Sequence, residues 1–211
     1  MARIAVVTVA AGVALLGGVR AASAESIVSA PPTGYGTLSA ADHKRLGIRT
    51  VNQLDSCSWV YLAFRTPAGE TKYVSVEWKH TGNQHAMLRA RADTVGKWEW
   101  LYRCRNSATG AYYFQAPVEG EPSLGWRYVT ADFTLAGGDN GLLRARGEKV
   151  DIYELFFLTQ LPDTWFNLQG WHENGSRPYV AAEYGDTGEN HNRLRARSGV
   201  AGAWERFAIY S

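Results

Sequence analysis

Aromatic, amide and carboxylate side chains cluster in two short segments near the carboxyl end of the chain. These segments are Trp171-His172-Glu173-Asn174 and a second one with Asp186, Glu189, Asn190 and His191. A flat ring beside amide and carboxylate groups offers a sugar an apolar face and partners for its hydroxyls. We therefore predict a carbohydrate-binding site formed by Trp171, His172, Glu173, Asn174, Asp186 and Asn190. Asn174-Gly175 is equally typical of a plain hairpin turn, so a structural role for this segment stays open.

Three copies of Leu-Arg-Ala-Arg form the clearest charged pattern of the chain. They lie at 88–91, 143–146 and 194–197, and period-two alternation places Leu and Ala inward and both arginines outward. Six outward arginines would suit a sulfated or carboxylated glycan. The alternative is cross-strand pairing with equally periodic acids, and their matching periodicity favours it. Those acids are Glu77, Asp132, Glu183, Glu99, Glu154 and Glu205.

The sequence lacks the motifs that would indicate catalysis. Its five histidines show no H-E-x-x-H spacing, and its two cysteines are too few for a zinc knuckle. It has no nucleophile elbow, phosphate loop or dinucleotide fingerprint. We expect a protein that is not an enzyme and holds neither a metal nor another cofactor.

The arginine pairs belong to a unit that occurs three times from residue 56 onward. Fifteen residues before each Leu of Leu-Arg-Ala-Arg stands Tyr-Val, starting at Tyr73, Tyr128 and Tyr179. An acid and then an aromatic follow, the aromatics being Trp78, Phe133 and Tyr184. Ten residues after each Leu comes another aromatic and then Glu, the aromatics being Trp98, Tyr153 and Trp204. Three offsets that each occur three times indicate an internal repeat.

Alternating apolar residues within each unit predict short, half-buried strands, four per repeat and twelve in all. One such repeat cannot bury its apolar face alone, whereas three around an axis can close a barrel. We therefore predict an all-β fold, a β-trefoil of three four-stranded repeats with pseudo-threefold symmetry. The repeats cover about 56–106, 107–160 and 161–211.

Two sets of repeated residues receive structural roles in this fold. The small alanines suit positions where three related strands crowd together, and the aromatics that follow the first acid are expected to pack in the core. The alanines are Ala90, Ala145 and Ala196, and the aromatics are Trp78, Phe133 and Tyr184.

The repeat resembles the fascin-like β-trefoil family, whose units carry Tyr-Val/Leu-x-Ala-Glu, then Leu-x-Ala, then Gly-x-Trp-Glu-x-Phe. The third repeat fits best, through 179–183, 194–197 and 202–207, and the first fits through 96–99. The second departs, because Tyr153 replaces Trp and no Gly stands two residues before it. Eukaryotic members bundle actin, whereas bacterial modules of this kind occur beside glycoside-degrading domains. For a secreted bacterial-type member, the resemblance implies a lectin-like role.

The first 24 residues are typical of a secretory signal peptide. Arg3 gives a positive start, an apolar run extends from Ile4 to Val19, and Ala22-Ser23-Ala24 fits a cleavage site. The run is shorter than the roughly 20 residues that a transmembrane helix needs. We therefore predict a secreted, extracellular protein with no membrane attachment after cleavage. Residues 25–55 are expected to form an N-terminal extension or linker, with a short helix over 40–46.

Removal of residues 1–24 leaves a chain with balanced charge. The full chain has 22 Lys+Arg against 20 Asp+Glu, and two arginines leave with the signal peptide. This balance gives no reason to expect nucleic acid or an anionic membrane as a partner. In an oxidising compartment Cys57 and Cys104 are expected to form a disulfide, the alternative being two separate buried thiols.

Together these features predict a secreted, non-catalytic protein that binds a carbohydrate or polysaccharide through the loops of the trefoil. The alternative, from another functional class, is a protein-interaction or inhibitor scaffold that presents the same loops to a protein partner.

Secretion from a host that processes signal peptides should release a protein whose first residue is Glu25, because Ala22-Ser23-Ala24 is the small-residue pattern that precedes cleavage. N-terminal sequencing of the protein recovered from the medium tests this. A chain that still starts at Met1, or that stays with the cells, would contradict it.

Overall fold

The computed structural model describes residues 56–211, so the predicted signal peptide and extension lie outside the described residues. Within this range the regular structure is β-strand or short 3₁₀ helix, which confirms the all-β class. The twelve strands are β1 Cys57–Arg65, β2 Thr71–Glu77, β3 Met87–Ala92, β4 Leu101–Arg105, β5 Tyr112–Pro117, β6 Trp126–Asp132, β7 Leu142–Gly147, β8 Phe156–Gln160, β9 Trp165–Gly170, β10 Tyr179–Ala182, β11 Leu194–Ser198 and β12 Arg206–Tyr210. The 3₁₀ helices are Gly82–Gln84, Val118–Gly120, Pro122–Leu124, Gly137–Asp139, Ile152–Glu154, Pro162–Thr164, Gly188–Asn190 and Ala203–Glu205.

Six strands pair edge to edge in a closed antiparallel ring. β1 pairs with β4 and β12, β9 joins β12 to β8, and β5 joins β8 to β4. Closure pairs both edges of every strand in the ring, so no free edge is left to recruit another chain.

The remaining strands form three hairpins, β2–β3, β6–β7 and β10–β11. Each hairpin has the same irregularity of register between the Tyr and the Val of its Tyr-Val pair. Bridges link β3 to β7 and β7 to β11, and a further bridge joins Arg89 to Arg193. A strand ring combined with three mutually contacting hairpins is trefoil-like.

One apolar cluster joins the ring to the hairpins. It contains the buried rings of Phe64, Phe114, Phe156 and Phe207 together with the Leu and Ala of all three Leu-Arg-Ala-Arg segments. Trp78 belongs to this cluster, and Phe133 and Tyr184 pack against it, which confirms the predicted core role of these aromatics.

The small alanines lie where neighbouring hairpins meet. All three are buried, and each backbone N–H donates a hydrogen bond to a carbonyl of another repeat, at 2.8 to 2.9 Å. The pairs are Ala90 with Asn192, Ala145 with Ala86, and Ala196 with Gly141. A larger side chain would separate these backbones, so the prediction of crowding at the alanines is confirmed.

The prediction that both arginines of each pair face outward is wrong for the first of each pair. Arg89, Arg144 and Arg195 are only 3 to 8% exposed, whereas the second arginines are about half exposed. Period-two alternation indicates on which face of its own sheet a side chain lies, but it does not indicate whether another part of the protein covers that face. Here the outer face of each hairpin is covered by the neighbouring repeat, and this burial depends on assembly of the three units.

The buried guanidinium groups donate to the backbone of the repeat that covers them. Arg89 donates to the carbonyl oxygen of His191 at 3.1 Å, and Arg195 donates to that of Asn140 at 2.9 Å. The contacts of Arg144 are the carbonyl oxygen of Asn83, at 2.9 Å, and the carboxylate of Asp132. These charged hydrogen bonds connect the same repeats that the alanine N–H groups connect.

The periodic acids divide into two sets with different roles. Glu77, Asp132 and Glu183 are buried and form ion pairs with the outer arginines, which confirms the predicted pairing. The other set does not pair with arginine, and there the prediction is wrong. Instead each carboxylate accepts a hydrogen bond from a backbone N–H three residues earlier, at 2.6 to 2.8 Å. These acids are Glu99, Glu154 and Glu205.

That second set shapes the turns that precede β4, β8 and β12. Trp98, Tyr153 and Trp204 lie in these turns, and the strands begin two or three residues after them. In each turn the Glu carboxylate accepts a hydrogen bond from a backbone N–H of the same turn, so this bond takes the place of pairing with a neighbouring strand. We call the three segments 96–99, 151–154 and 202–205 the aromatic turns.

The predicted disulfide is confirmed. Cys57 and Cys104 are register partners on β1 and β4, and their sulfurs are bonded. The two residues are 47 positions apart. A disulfide that closes a loop of this length stabilises a fold by about 4 kcal/mol, because it lowers the conformational entropy of the unfolded chain.

Arg89→Met should lower the free energy of unfolding by about 2 to 3 kcal/mol, because charged hydrogen bonds to a neighbouring repeat are lost. Lys149→Met removes an exposed ion pair with Asp151 and should cost less than about 1 kcal/mol. Urea denaturation measures both. Equally small changes would contradict a role of the buried arginines in joining the repeats.

Candidate functional site

A cleft of about 550 Å³ opens beside the aromatic turn of the second repeat. Its wall comes from β6, from the end of β7, from the turn that leads to β8, and from one residue of the third repeat. The polar lining includes Asp132, Arg146, Lys149, Asp151, Tyr153 and Glu173. The cleft therefore forms only when two repeats pack together.

Tyr153 and Glu173 join these two repeats across the cleft. The Tyr153 hydroxyl donates a hydrogen bond to Oε2 of Glu173 at 2.9 Å. Its ring packs against Phe133, with 5.7 Å between centroids. The hydrogen bond to the Glu173 carboxylate raises the pKa of Tyr153 above its ordinary value. The ring is thus fixed at its edge and at its hydroxyl while remaining partly exposed.

The two basic residues of the cleft lining are each paired with an acid of the lining, which also contains Glu148, Glu154 and Glu173. Arg146 lies 3.2 Å from Asp132, and Lys149 lies 3.3 Å from Asp151. Paired charges in a partly open site still present lone pairs and N–H groups for hydrogen bonding. The cleft therefore suits a ligand rich in hydroxyls better than a strongly charged one.

Glu154 lines the cleft and stabilises the turn that carries Tyr153. Its carboxylate accepts hydrogen bonds from the Thr130 hydroxyl at 2.7 Å and from the Asp151 N–H at 2.8 Å. Burial raises the pKa of Glu154, and these two hydrogen bonds oppose that rise. With both oxygens engaged, Glu154 positions the turn that carries Tyr153.

The structure brings one predicted sugar-binding residue, Glu173, into the cleft. The two preceding side chains pack instead on neighbouring aromatics: His172 on Phe133, with 4.6 Å between centroids, and Trp171 on Phe157, with 5.4 Å. Trp171 and His172 therefore anchor the loop that delivers Glu173.

Asn174 lies in an exposed turn outside the cleft lining. Its Oδ1 accepts a hydrogen bond from the Ser176 N–H at 2.9 Å. This is the local bonding of a hairpin turn, which was the alternative interpretation of Asn174-Gly175.

Asp186 and Asn190 lie elsewhere, at the junction of the three hairpins, and neither lines the cleft. Asp186 is 3.2 Å from Arg193, and Asn190 accepts hydrogen bonds from Gln84 and Arg193, both at 3.1 Å. Asn190 joins the first and third repeats through Gln84, whereas Asp186 forms its ion pair within the third repeat. The predicted site is therefore split, and Glu173 alone reaches the cleft.

Tyr153 is the ligand candidate that the sequence analysis missed. In the sequence it is recognisable only as one of three repeated aromatics, whereas the structure leaves it partly exposed at the cleft. One signal was available. The second repeat is the one that departs from Gly-x-Trp, and the departure places Asp151 and Tyr153 together in the turn.

Residues 56–211 hold no group of three or more His, Cys, Asp or Glu side chains arranged to bind a metal ion. In the same range, no helix has the length and apolar character needed to cross a membrane.

Comparison with known proteins supports the fold and gives no family. No family model matches the chain, and no curated protein matches it. Among solved structures, the chain is similar to the crystal structure of a designed 3-fold symmetric protein, ThreeFoil, with a TM-score of 0.54 and 14% identity. The match covers 72% of this chain and 98% of the designed one. At this identity the likeness concerns the trefoil-like fold alone.

Glu173→Gln should lower the pKa of Tyr153 toward that of an ordinary tyrosine, because the negative charge that opposes phenolate formation is removed and the new amide N–H can donate to the phenolate. Alkaline titration of the protein labelled with ¹³C at the tyrosine Cζ measures this, with Tyr153→Phe identifying the signal. An unchanged pKa of Tyr153 in Glu173→Gln would show that the two side chains do not meet in solution.

Proposed function

We propose that this chain is a secreted β-trefoil of three four-stranded, fascin-like repeats that binds a glycan or polysaccharide and catalyses no reaction on it. The observation that supports glycan binding best is the cleft of the second repeat. There a partly exposed tyrosine ring is surrounded by carboxylate, guanidinium and ammonium groups.

Sugar rings need two kinds of contact, and the cleft offers both. The apolar C–H face of a pyranose packs on an aromatic ring, the role proposed for Tyr153. Its hydroxyls exchange hydrogen bonds with side chains such as Asp151 and Glu173, both of which line the cleft. A volume of about 550 Å³ lies within the usual range of small-molecule sites.

A neutral glycan is a better ligand than a sulfated one. The outer arginines, which would attract sulfate, are already paired with buried acids of their own repeats. An anionic sugar would have to compete with these ion pairs and would leave a buried carboxylate uncompensated.

Secretion and the fascin-like assignment rest on the sequence. The apolar N-terminal run and Ala22-Ser23-Ala24 support export, and the disulfide is compatible with an oxidising compartment. The Gly-x-Trp-Glu-x-Phe segment of the third repeat supports the family assignment.

A glycan array with the mature protein tests the proposal, together with two variants at one position. Tyr153→Ala should weaken binding about tenfold, since the stacking surface is removed. Tyr153→Phe keeps the ring and should weaken binding less. Trp98→Ala, at the equivalent position of the first repeat, is the matched control and should leave binding unchanged. Binding that Tyr153→Ala does not alter would place the ligand elsewhere, and no signal with any glycan would refute the proposal.

A protein-interaction or inhibitor scaffold is the second candidate function. It is supported by Leu124, which is 58% exposed in the loop 118–125 between β5 and β6. A protein bound at this loop would remain bound in excess glycan, which separates the two functions.

A further inference from the structure

The three aromatic turns are equivalent in sequence but are covered to different degrees. Each carries an aromatic ten residues after the Leu of Leu-Arg-Ala-Arg, namely Trp98, Tyr153 and Trp204. The first two contact the loop between the first two strands of the following repeat. Going round the ring, the corresponding loop for Trp204 is that of the first repeat. These loops are 66–70, 118–125 and 171–178, so the first is shorter than the other two, which are equal in length.

The turn of the first repeat is closed. The Trp98 indole N–H donates to the Glu119 carbonyl oxygen at 3.1 Å. The backbone of the same loop presses on the ring, since a Cβ added at Gly120 would lie 2.9 Å from Cδ1 of Trp98. On the other side Lys79 Nζ lies 5.3 Å from the ring centroid. Loop 118–125 therefore occupies the space that a ligand of this ring would need.

The turn of the third repeat is open. Its covering loop is the tight turn 66–70, closed by the hydrogen bond from the Thr66 N–H to the Glu70 carbonyl oxygen at 2.8 Å. This turn reaches the base of the aromatic turn, where Thr66 and Pro67 share a pocket with Ala203. It leaves Trp204 39% exposed, and Val200, four residues earlier in the chain, is 75% exposed.

The surroundings of Trp204 lack the charges found around Tyr153. In the third repeat Gly199, Val200 and Gly202 stand where the second repeat has Glu148, Lys149 and Asp151. The ring itself lies over the backbone, because a Cβ added at Gly185 would be 3.4 Å from Cη2 of Trp204. The segment 199–204 thus has one large ring and no charged side chain, while Arg65 and Arg206 line the pocket next to Ala203.

We propose that Trp204 is the platform of a second glycan subsite, which stacks on a neutral pyranose face of a polysaccharide chain. This inference rests on the proposed function of the second repeat. The segment 199–204 has no charged side chain to pair with a sulfate, carboxylate or ammonium group, so the occupant proposed is a neutral sugar. The second repeat then binds one sugar through stacking and hydrogen bonds, the third binds another through stacking, and the first binds none.

Two linked subsites bind a long chain more tightly than either does alone, because the second contact becomes intramolecular. Insoluble chitin and microcrystalline cellulose are suitable neutral polysaccharides for the test. Depletion of the mature protein from solution is measured for the wild type, Tyr153→Ala, Trp204→Ala and the double variant, and Trp98→Ala is the matched control. Val200→Asp adds a charge at the rim while keeping the ring, and thermal unfolding checks that each variant is folded.

On the polysaccharide that binds, Trp204→Ala and Val200→Asp should each weaken binding about tenfold. The double variant should lose binding, and Trp98→Ala should match the wild type. If Trp204→Ala and Val200→Asp bind like the wild type while Tyr153→Ala does not, the second subsite is refuted and the proposed function stands. If the wild type binds neither polysaccharide and no glycan on an array, both fail together.

Discussion

Three backbone hydrogen bonds, each from a buried alanine to a carbonyl of a neighbouring repeat, set how closely the three units approach one another. A single unit has an apolar face that it cannot cover by itself, so its stability depends on this approach. The alanine side chain is small enough to allow it, and the buried arginine one residue earlier adds charged hydrogen bonds across the same junction. The core forms only because the repeats meet at this distance.

The three junctions between repeats are equivalent, so a difference in function between the repeats has to come from residues outside these junctions. The aromatic turns have the same carboxylate-to-backbone bond, and therefore a similar local shape. What differs is the loop that reaches each turn from the following repeat. Loop 118–125 covers its neighbour, 171–178 contributes Glu173 at the edge of a cleft, and 66–70 is too short to cover Trp204. The short loop leaves Trp204 exposed, whereas the contacts of two equally long loops close the first turn and form the edge of a cleft at the second.

The sequence predicted the features that depend on neighbours along the chain or on repeated spacing. Period-two alternation located the strands, the small residue in Leu-Arg-Ala-Arg located the crowded junction, and the disulfide followed from two cysteines in a chain predicted to be exported. Burial of Arg89 was not predictable, because another repeat covers it. Tyr153 was missed because its place among the repeated aromatics does not show whether it lies in a strand or in an exposed turn. Asp186 and Glu173 lie close in sequence, but β10 separates them, so that Asp186 pairs with Arg193 whereas Glu173 lines the cleft.

Native-state hydrogen exchange at the amides of Ala90, Ala145 and Ala196 tests most directly whether the equivalent junctions hold the fold together. If they do, all three amides exchange only through global opening, with one free energy that equals the free energy of unfolding in urea. If one of them exchanges at a free energy several kcal/mol lower while the other two stay protected, that repeat opens independently, and the account of three mutually dependent units is contradicted.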